Sequence, residues 1–221
     1  MKNYHDIHSH SYYSGCGRDD PRVMIEAAIA GGITHFGISD HNYGVGDRKA
    51  EYIAELSSLR EEYKDRISLL IGIEISTLPG KTPPEDEKYT ELDYCLIEET
   101  DCDNTVVTDI VEYGSRFDCP AGIAHTDLFG YCEKKGLDPL TFFKRMAQAG
   151  MFWEMNVSYD SIHHYREHEY VKEFMRNEEQ QRIIRESGVR VTVGFDGHRV
   201  EDYLPERVRA MNDFLRDKIY A

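Results

Sequence analysis

No stretch of this sequence is apolar for long enough to cross a membrane. The longest apolar run, Ile67–Ile75, falls far short of the ~20 residues a spanning helix needs. The opening residues, Met1-Lys2-Asn3-Tyr4-His5-Asp6, lack the apolar centre of a secretory leader, so a cytoplasmic location is expected. Cysteines are few. Cys16, Cys95, Cys102, Cys119 and Cys132 form no C-x-x-C pair, and an odd, scattered set suits free thiols better than disulfides or a structural zinc knuckle. Basic charge is short as well: a formal net charge of −15 disfavours broad phosphate-backbone contact, so no extended nucleic-acid surface is expected. No G-x-G-x-x-G or Walker-type G-x-x-x-x-G-K-S/T follows a candidate strand, which removes support for nucleotide-binding α/β folds.

What is present is an alternation. The 221 residues, 40% hydrophobic, can bury one substantial core, and with no internal repeat or linker they read as a single domain, 1–221. Seven apolar runs are candidate strands: Tyr4–His8, Thr34–Ser39, Ile67–Ile75, Leu92–Ile97, Ala121–Ala124, Met151–Val157 and Val189–Phe195. Helical patterns fall at Pro21–Ala30, Asp47–Tyr63, Asn104–Arg116, Pro139–Ala149, Val171–Glu186 and Glu201–Arg216. Asp138-Pro139 reads as an N-cap with proline at the first helical position, and Thr77–Thr90 reads as plain loop. Such alternation predicts a parallel sheet covered by helices, closed as a barrel or open and doubly wound.

The chemistry gathers where the strands end. Side chains two apart on a strand share a face, so His8 and His10 point the same way. Two imidazoles at that spacing can bind one metal ion. In the second strand Gly37 and Ser39 share a face with His41, and in the third Leu70 and Gly72 share one with Glu74. The fifth strand ends in His125, the sixth carries Glu154 and Asn156, and the seventh sets Thr192, Gly194, Asp196 and His198 on one side. Singly, each has an ordinary explanation: a packed histidine, or a glutamate in a salt bridge. Together they deliver metal-ligand side chains to one rim, where parallel α/β barrels build active sites. A metal site follows.

These pieces resemble the PHP family, the polymerase and histidinol phosphatase superfamily. The matching phrases are Asp6-Ile-His8-Ser-His10 with Ser14, Ile38-Ser39-Asp40-His41-Asn42, Gly72-Ile-Glu74, Ala124-His125, Glu154-Met155-Asn156 and Gly194-Phe195-Asp196-Gly197-His198. The resemblance implies a distorted (β/α)7 TIM-like barrel holding two or three divalent ions, zinc, manganese or iron. By resemblance, His8, His10, Glu74 and Asp196 would hold the first ion, Glu74 would bridge to a second that takes His125, and His41 and His198 would hold a third. Two departures stand out. The fourth strand lacks the family's histidine, leaving Glu98, Glu99 or Asp101 as substitutes that would favour a harder ion such as manganese. The loop after His10 offers Cys16, Asp19 or Asp20 where relatives place an Asp or His, although Asp20-Pro21 also reads as a helix cap.

The expected activity is that of a histidinol-phosphatase-like phosphoesterase on a small-molecule phosphate monoester. Closely spaced ions would lower the pKa of a shared water, and the resulting hydroxide would attack phosphorus. Asp40 and Arg199 are the candidate catalytic residues, Asp40 by orienting an imidazole and Arg199 as a bidentate phosphate clamp, with Arg18 a second clamp candidate. His35 is read as a packed histidine. The histidines of Ser161–His168 are read as a surface segment, the alternative being an anion site over the rim. Competing functions are a phosphodiesterase or nuclease on short nucleotides, and a noncatalytic metal-binding regulatory module.

Overall fold

The computed structural model describes residues 2–221. Eight strands alternate with helices in chain order: β1 (His5–Asp6), β2 (His35–Ile38), β3 (Ser68–Ile71), β4 (Glu74–Ser76), β5 (Cys95–Glu98), β6 (Ala121–Ile123), β7 (Phe152–Asn156) and β8 (Arg190–Gly194). The helices are α1 (Pro21–Ala30), α2 (Asn42–Val45), α3 (Lys49–Tyr63), α4 (Ile110–Ser115), α5 (Leu128–Lys135), α6 (Pro139–Gln148), α7 (Glu169–Arg176), α8 (Glu178–Ser187) and α9 (Pro205–Lys218). The strands form two sheets, β1-β2-β3 and β4-β5-β6-β7-β8, and every pairing is parallel. Parallel strands with intervening helices bring all strand C-termini to one side. No helix among the described residues is long and apolar enough to cross a membrane.

The third expected strand is two strands. β3 pairs with β2 up to Ile71, and β4 pairs with β5 from Glu74, with Gly72 and Ile73 between them. The chain changes partner there: Gly72 still donates to Ile38 O at 2.8 Å, while Ile73 O already accepts from Leu96 N at 2.8 Å. The helix expected over Val171–Glu186 also divides, because Asn177 is extended (φ −99°, ψ 97°) and its side chain caps α8 through Glu179 N and Gln180 N. The helix expected from Asn104 starts only at Ile110, capped by Asp109, and α5 is an added helix. Asp20 and Asp138 cap α1 and α6 as their Asp-Pro pairs predict.

Two apolar layers result. The larger packs Phe36, Ile38, Ile71, Trp153, Val193 and Phe195 against the helices. The smaller lies on the strands' other face, where Ile7, Tyr94, Leu96, Ala124 and Phe152 meet Leu70. Tyr94 is the centre of that layer, and its hydroxyl donates to Ile7 O at 2.5 Å. A Cβ at Gly72 would collide with the Tyr94 ring, and one at Gly37 with the Tyr94 hydroxyl and the Ile7 backbone, so both positions need glycine for close approach. Backbone bonds also run between the sheets' outer strands: Ile7 N to Val193 O at 3.0 Å, Asp196 N to His8 O at 2.7 Å and His10 N to Gly197 O at 2.8 Å.

Candidate metal centre

Six of the eight strands contribute one or two side chains, at or next to one of their ends, to a single cluster. His8 and His10 follow β1, His41 follows β2, Glu74 opens β4, Glu98 closes β5, His125 follows β6, and Asp196 and His198 follow β8. His8 Nε2 lies 3.1 Å from His10 Nε2 and 3.1 Å from Glu74 Oε1. His10 Nε2 lies 2.9 Å from Asp196 Oδ1 and 3.3 Å from Glu74 Oε2. Glu74 also meets His125 Nε2 at 3.0 Å and His41 Nδ1 at 2.9 Å. Glu74 is therefore the hub, contacting four imidazoles with one carboxylate.

Of the residues the sequence left open, Glu98 and Cys16 lie against the cluster. Glu98 Oε1 sits 3.2 Å from His41 Nδ1, whereas Glu99 has a positive φ of 60° and accepts from Ser76, and Asp101 is exposed. In the loop after His10, Cys16 groups with His10, His41 and His198, their donor atoms all within 4.8 Å of one another. Asp19 instead accepts from Val200 N at 2.6 Å and Asp20 caps α1.

Several residues act behind the cluster. His8 Nδ1 bonds Glu154 Oε1 at 2.7 Å, and the other Glu154 oxygen accepts from His125 N at 2.8 Å. A Cβ at Gly194 would occupy the space of that carboxylate. His198 Nδ1 lies 3.1 Å from Asp160 Oδ2, and His10 Nδ1 lies 3.0 Å from Ser14 Oγ. Asp40 does not enter the cluster. It accepts from Ser11 N at 2.7 Å, from Ser14 N at 3.1 Å and from the Ser14 hydroxyl, so it orients His10 through Ser14. Arg199 is not among the clustered donors: it borders a small cavity with Met24, Phe36 and Tyr203, and its carboxylate neighbour is Glu201 at 3.9 Å. The Arg199 Nε is buried without a hydrogen-bond partner. Arg18 is exposed, and its amide donates to His198 O at 3.2 Å.

Sequence reasoning missed Asp160 and misread part of Ser161–His168. His163 Nε2 lies 2.8 Å from Asp196 Oδ2, and the His168 ring runs nearly parallel to His125 with centroids 6.2 Å apart. The surface reading holds for exposed His164 alone of the three histidines. Asp202 draws the segment inward, accepting from the Ser161 hydroxyl at 2.7 Å and the Tyr165 hydroxyl at 3.1 Å. An open groove of about 970 Å³ runs beside it, bordered by Tyr159, His163, Tyr165, His168 and Arg207. His35 packs at the opposite strand ends, as expected, stacked on His5 at 4.2 Å.

The electrostatics are a contest between burial and opposite charge. Burial disfavours a charged His8, but Glu154, Glu74 and Asp196 outweigh it and raise its pKa well above the ordinary value. Against the same burial, Glu74 lifts His125 to about 9, and Asp196 and Asp160 lift His198 to about 10. Glu74 and Asp196 would be raised by burial, yet the imidazoles, His8 foremost by charge, hold both well below the carboxylate range. Cys16 is drawn down to about 5 despite burial by contacts with His198 and His41. Glu98 is pushed up by burial and by Glu74.

These donors fit metal ions. Asp196 Oδ1, Glu98 Oε1, His41 Nδ1 and His163 Nε2 are buried with no hydrogen-bond partner. His41 Nδ1 is within 2.9 Å of Glu74 yet lacks the alignment of a hydrogen bond. Bare buried polar atoms cost about 1–3 kcal/mol each, and a divalent cation satisfies this donor set. His125 and Asp196 carry positive φ values of 22° and 56°, backbone strain of the kind that concentrates at functional sites.

Known proteins resemble this chain in sequence or in fold. The histidinol-phosphatase of Lactococcus lactis subsp. lactis (strain IL1403) is 33% identical over 76 residues, 32% of this chain and 28% of that protein, so the match spans under a third of the relative's length. Among solved structures, histidinol phosphate phosphatase from Lactococcus lactis subsp. lactis Il1403, complexed with zinc, L-histidinol and phosphate, has a similar fold. Its TM-score is 0.64 at 17% identity, over 98% of this chain and 94% of that one. A chain in archaeal ribonuclease P with mature tRNA follows at TM-score 0.54 and 14% identity, over 96% of this chain and 82% of that one. The family model of the PHP domain matches residues 6–198, most of the sequence. The chain belongs to the PHP domain family.

Proposed function

We propose that this chain is a metal-dependent phosphoesterase that hydrolyses a small-molecule phosphate monoester. The observation that carries the reading is the Glu74 hub, one buried carboxylate in contact with His8, His10, His41 and His125. A shared carboxylate among that many imidazoles is the arrangement a multinuclear centre needs. His8, His10, Glu74 and Asp196 would hold one ion, Glu74 with His125 and Glu98 a second, and His41 with His198 and Cys16 a third. Bound divalent ions would supply an activated water at neutral pH and neutralise phosphoryl charge.

The protein's own residues do the positioning. Glu154 and Asp160 fix the rings of His8 and His198 by taking their Nδ1 atoms, which leaves each Nε2 as the free donor. Asp40, through Ser14, does the same for His10. The groove beside His163 would admit the ester. The curated Lactococcus relative and the zinc, histidinol and phosphate of the similar structure support a histidinol-phosphate-like substrate.

The proposal includes one catalytic domain over residues 1–221, folded as a distorted (β/α)7 barrel in which β3 and β4 count as one bent strand. The bonds from Ile7 to Val193 and from Leu96 to Ile73 support that closure. It also includes a cytoplasmic setting, supported by five unpaired cysteines. The test is hydrolysis by metal-stripped protein reconstituted with Zn²⁺ or Mn²⁺, comparing p-nitrophenyl phosphate, its bis-ester and histidinol phosphate. Chelator-sensitive hydrolysis of the monoesters is expected. Preference for the diester, or no turnover with either ion, would overturn the proposal.

A further inference from the structure

We infer that the centre is divided by donor chemistry: Cys16 ligates a soft ion such as zinc, while Glu98 and Glu74 hold a harder ion such as manganese. The inference rests on reading the cluster as a metal centre and is independent of the reaction performed there.

The division is visible in the donor sets. Cys16, His10, His41 and His198 bring their donor atoms within 4.8 Å of one another, and that group contains no carboxylate. His41, Glu74 and Glu98 form another group at the same spacing, in which two of three donors are carboxylates. Thiolate and imidazole suit zinc and its soft neighbours, whereas carboxylates suit manganese and magnesium. His41 belongs to both groups, so what separates them is Cys16 on one side and Glu98 on the other.

Both distinguishing residues are held in place. Gly17 lets the loop after His10 fold back on itself, since a Cβ there would strike the carbonyls of His10 and Ser11. That fold delivers Cys16 to the cluster while Asp19 and Asp20 are engaged elsewhere. Opposite Cys16, the His198 side chain is 4% exposed, and with Nδ1 taken by Asp160 its Nε2 is the remaining donor. Glu98 is 9% exposed in its side chain, and its Oε1 has no hydrogen-bond partner although His41 and His125 lie 3.2 and 4.0 Å from its two oxygens. A nine-tenths buried carboxylate oxygen left bare among imidazoles points to a cation.

The experiment uses the full-length, metal-stripped protein and metal binding as its readout. Co²⁺, the optical substitute for zinc, is expected to produce a thiolate-to-metal absorption band in the near ultraviolet. Mn²⁺, followed by electron paramagnetic resonance, should bind alongside without removing that band. Cys16→Ser should abolish the band and weaken Zn²⁺ at one site at least about tenfold, since losing even an outer partner of a ligand costs ~10–100-fold. Glu98→Gln should weaken Mn²⁺ by a similar factor and leave the band intact. A missing band, a band that survives Cys16→Ser, or a band that Mn²⁺ displaces would overturn the inference. Should either variant fail to fold, alkylation of the unsubstituted protein decides: Zn²⁺ should shield Cys16 from iodoacetamide, mapped by mass spectrometry, and Mn²⁺ should not. Equal shielding by both ions, or by neither, would overturn it as well. Failure to hydrolyse phosphate esters would remove the proposed reaction and leave these outcomes standing.

Discussion

His5 and His8 sit on one strand line, three residues apart, and live under opposite conditions. His5 stacks on His35 at the strands' N-terminal ends, where neither ring has a carboxylate within ion-pair distance among the described residues, and burial lowers both pKa values. His8 is more deeply buried, yet three carboxylates raise its pKa. Burial alone always drives an imidazole toward neutrality. Carboxylates at the C-terminal ends reverse that, so the end of the sheet, not the residue type, separates a packing histidine from one set among carboxylates.

The comparison breaks most visibly at Glu74. Glu74→Gln keeps the shape but removes the hub's charge, so hydrolysis should fall about a thousandfold or more, roughly 4 kcal/mol of barrier. Metal content by elemental analysis should drop with it. Retained metal and near-normal turnover would mean that the two ends do not differ as described. Asp40→Asn is a smaller perturbation, acting on His10 only through Ser14. Metal affinity should weaken about 10–100-fold with the fold preserved; an unchanged affinity would reduce Asp40 to a loop anchor.

The smallest effect concerns pH and the metal-stripped protein. His125 and His198 have folded pKa values of about 9 and about 10, above the ordinary histidine value. Their stabilisation is complete below that ordinary value and fades as pH rises through 9 to 10. His5 and His35 are lowered, so the unfolded chain binds protons more readily and stability is lost as pH falls through the ordinary histidine range. His35→Phe should raise the acid limb of a melting-temperature profile by a few degrees at most, since solvent screens partly exposed rings. Its alkaline limb should not move. A shift of both limbs would show that the two ends titrate as one system.

Much of the centre was legible because strand geometry is rigid. A period of two assigns Glu74, Asp196 and His198 to one face without any knowledge of the loops. Glu98 was not separable from Glu99 and Asp101, because Cys95, Leu96 and Ile97 are all buried and apolar and give no alternation to count. Tyr94 and Leu96 pack in the inner layer, and strand alternation puts Glu98 on the same side. Cys16 and His163 lie on loops, whose paths depend on distant partners such as Asp202 rather than on local periodicity. The break between β3 and β4 was invisible for a related reason. Ile67–Ile75 is apolar on both sides of Gly72, and only the change of neighbouring strand bends it.

The inner layer carries a consequence for anyone redesigning this protein. Gly72 is small because the Tyr94 ring fills the room its side chain would take, whereas Gly37 is also closed off by the Ile7 backbone. A larger residue at Gly72 collides while the ring is there, and a smaller residue at Tyr94 opens a void while Gly72 remains. Neither half of the exchange is tolerable first. A remodelled interior beneath the centre is therefore reached by simultaneous substitution, and one-at-a-time mutagenesis would report these positions as immutable.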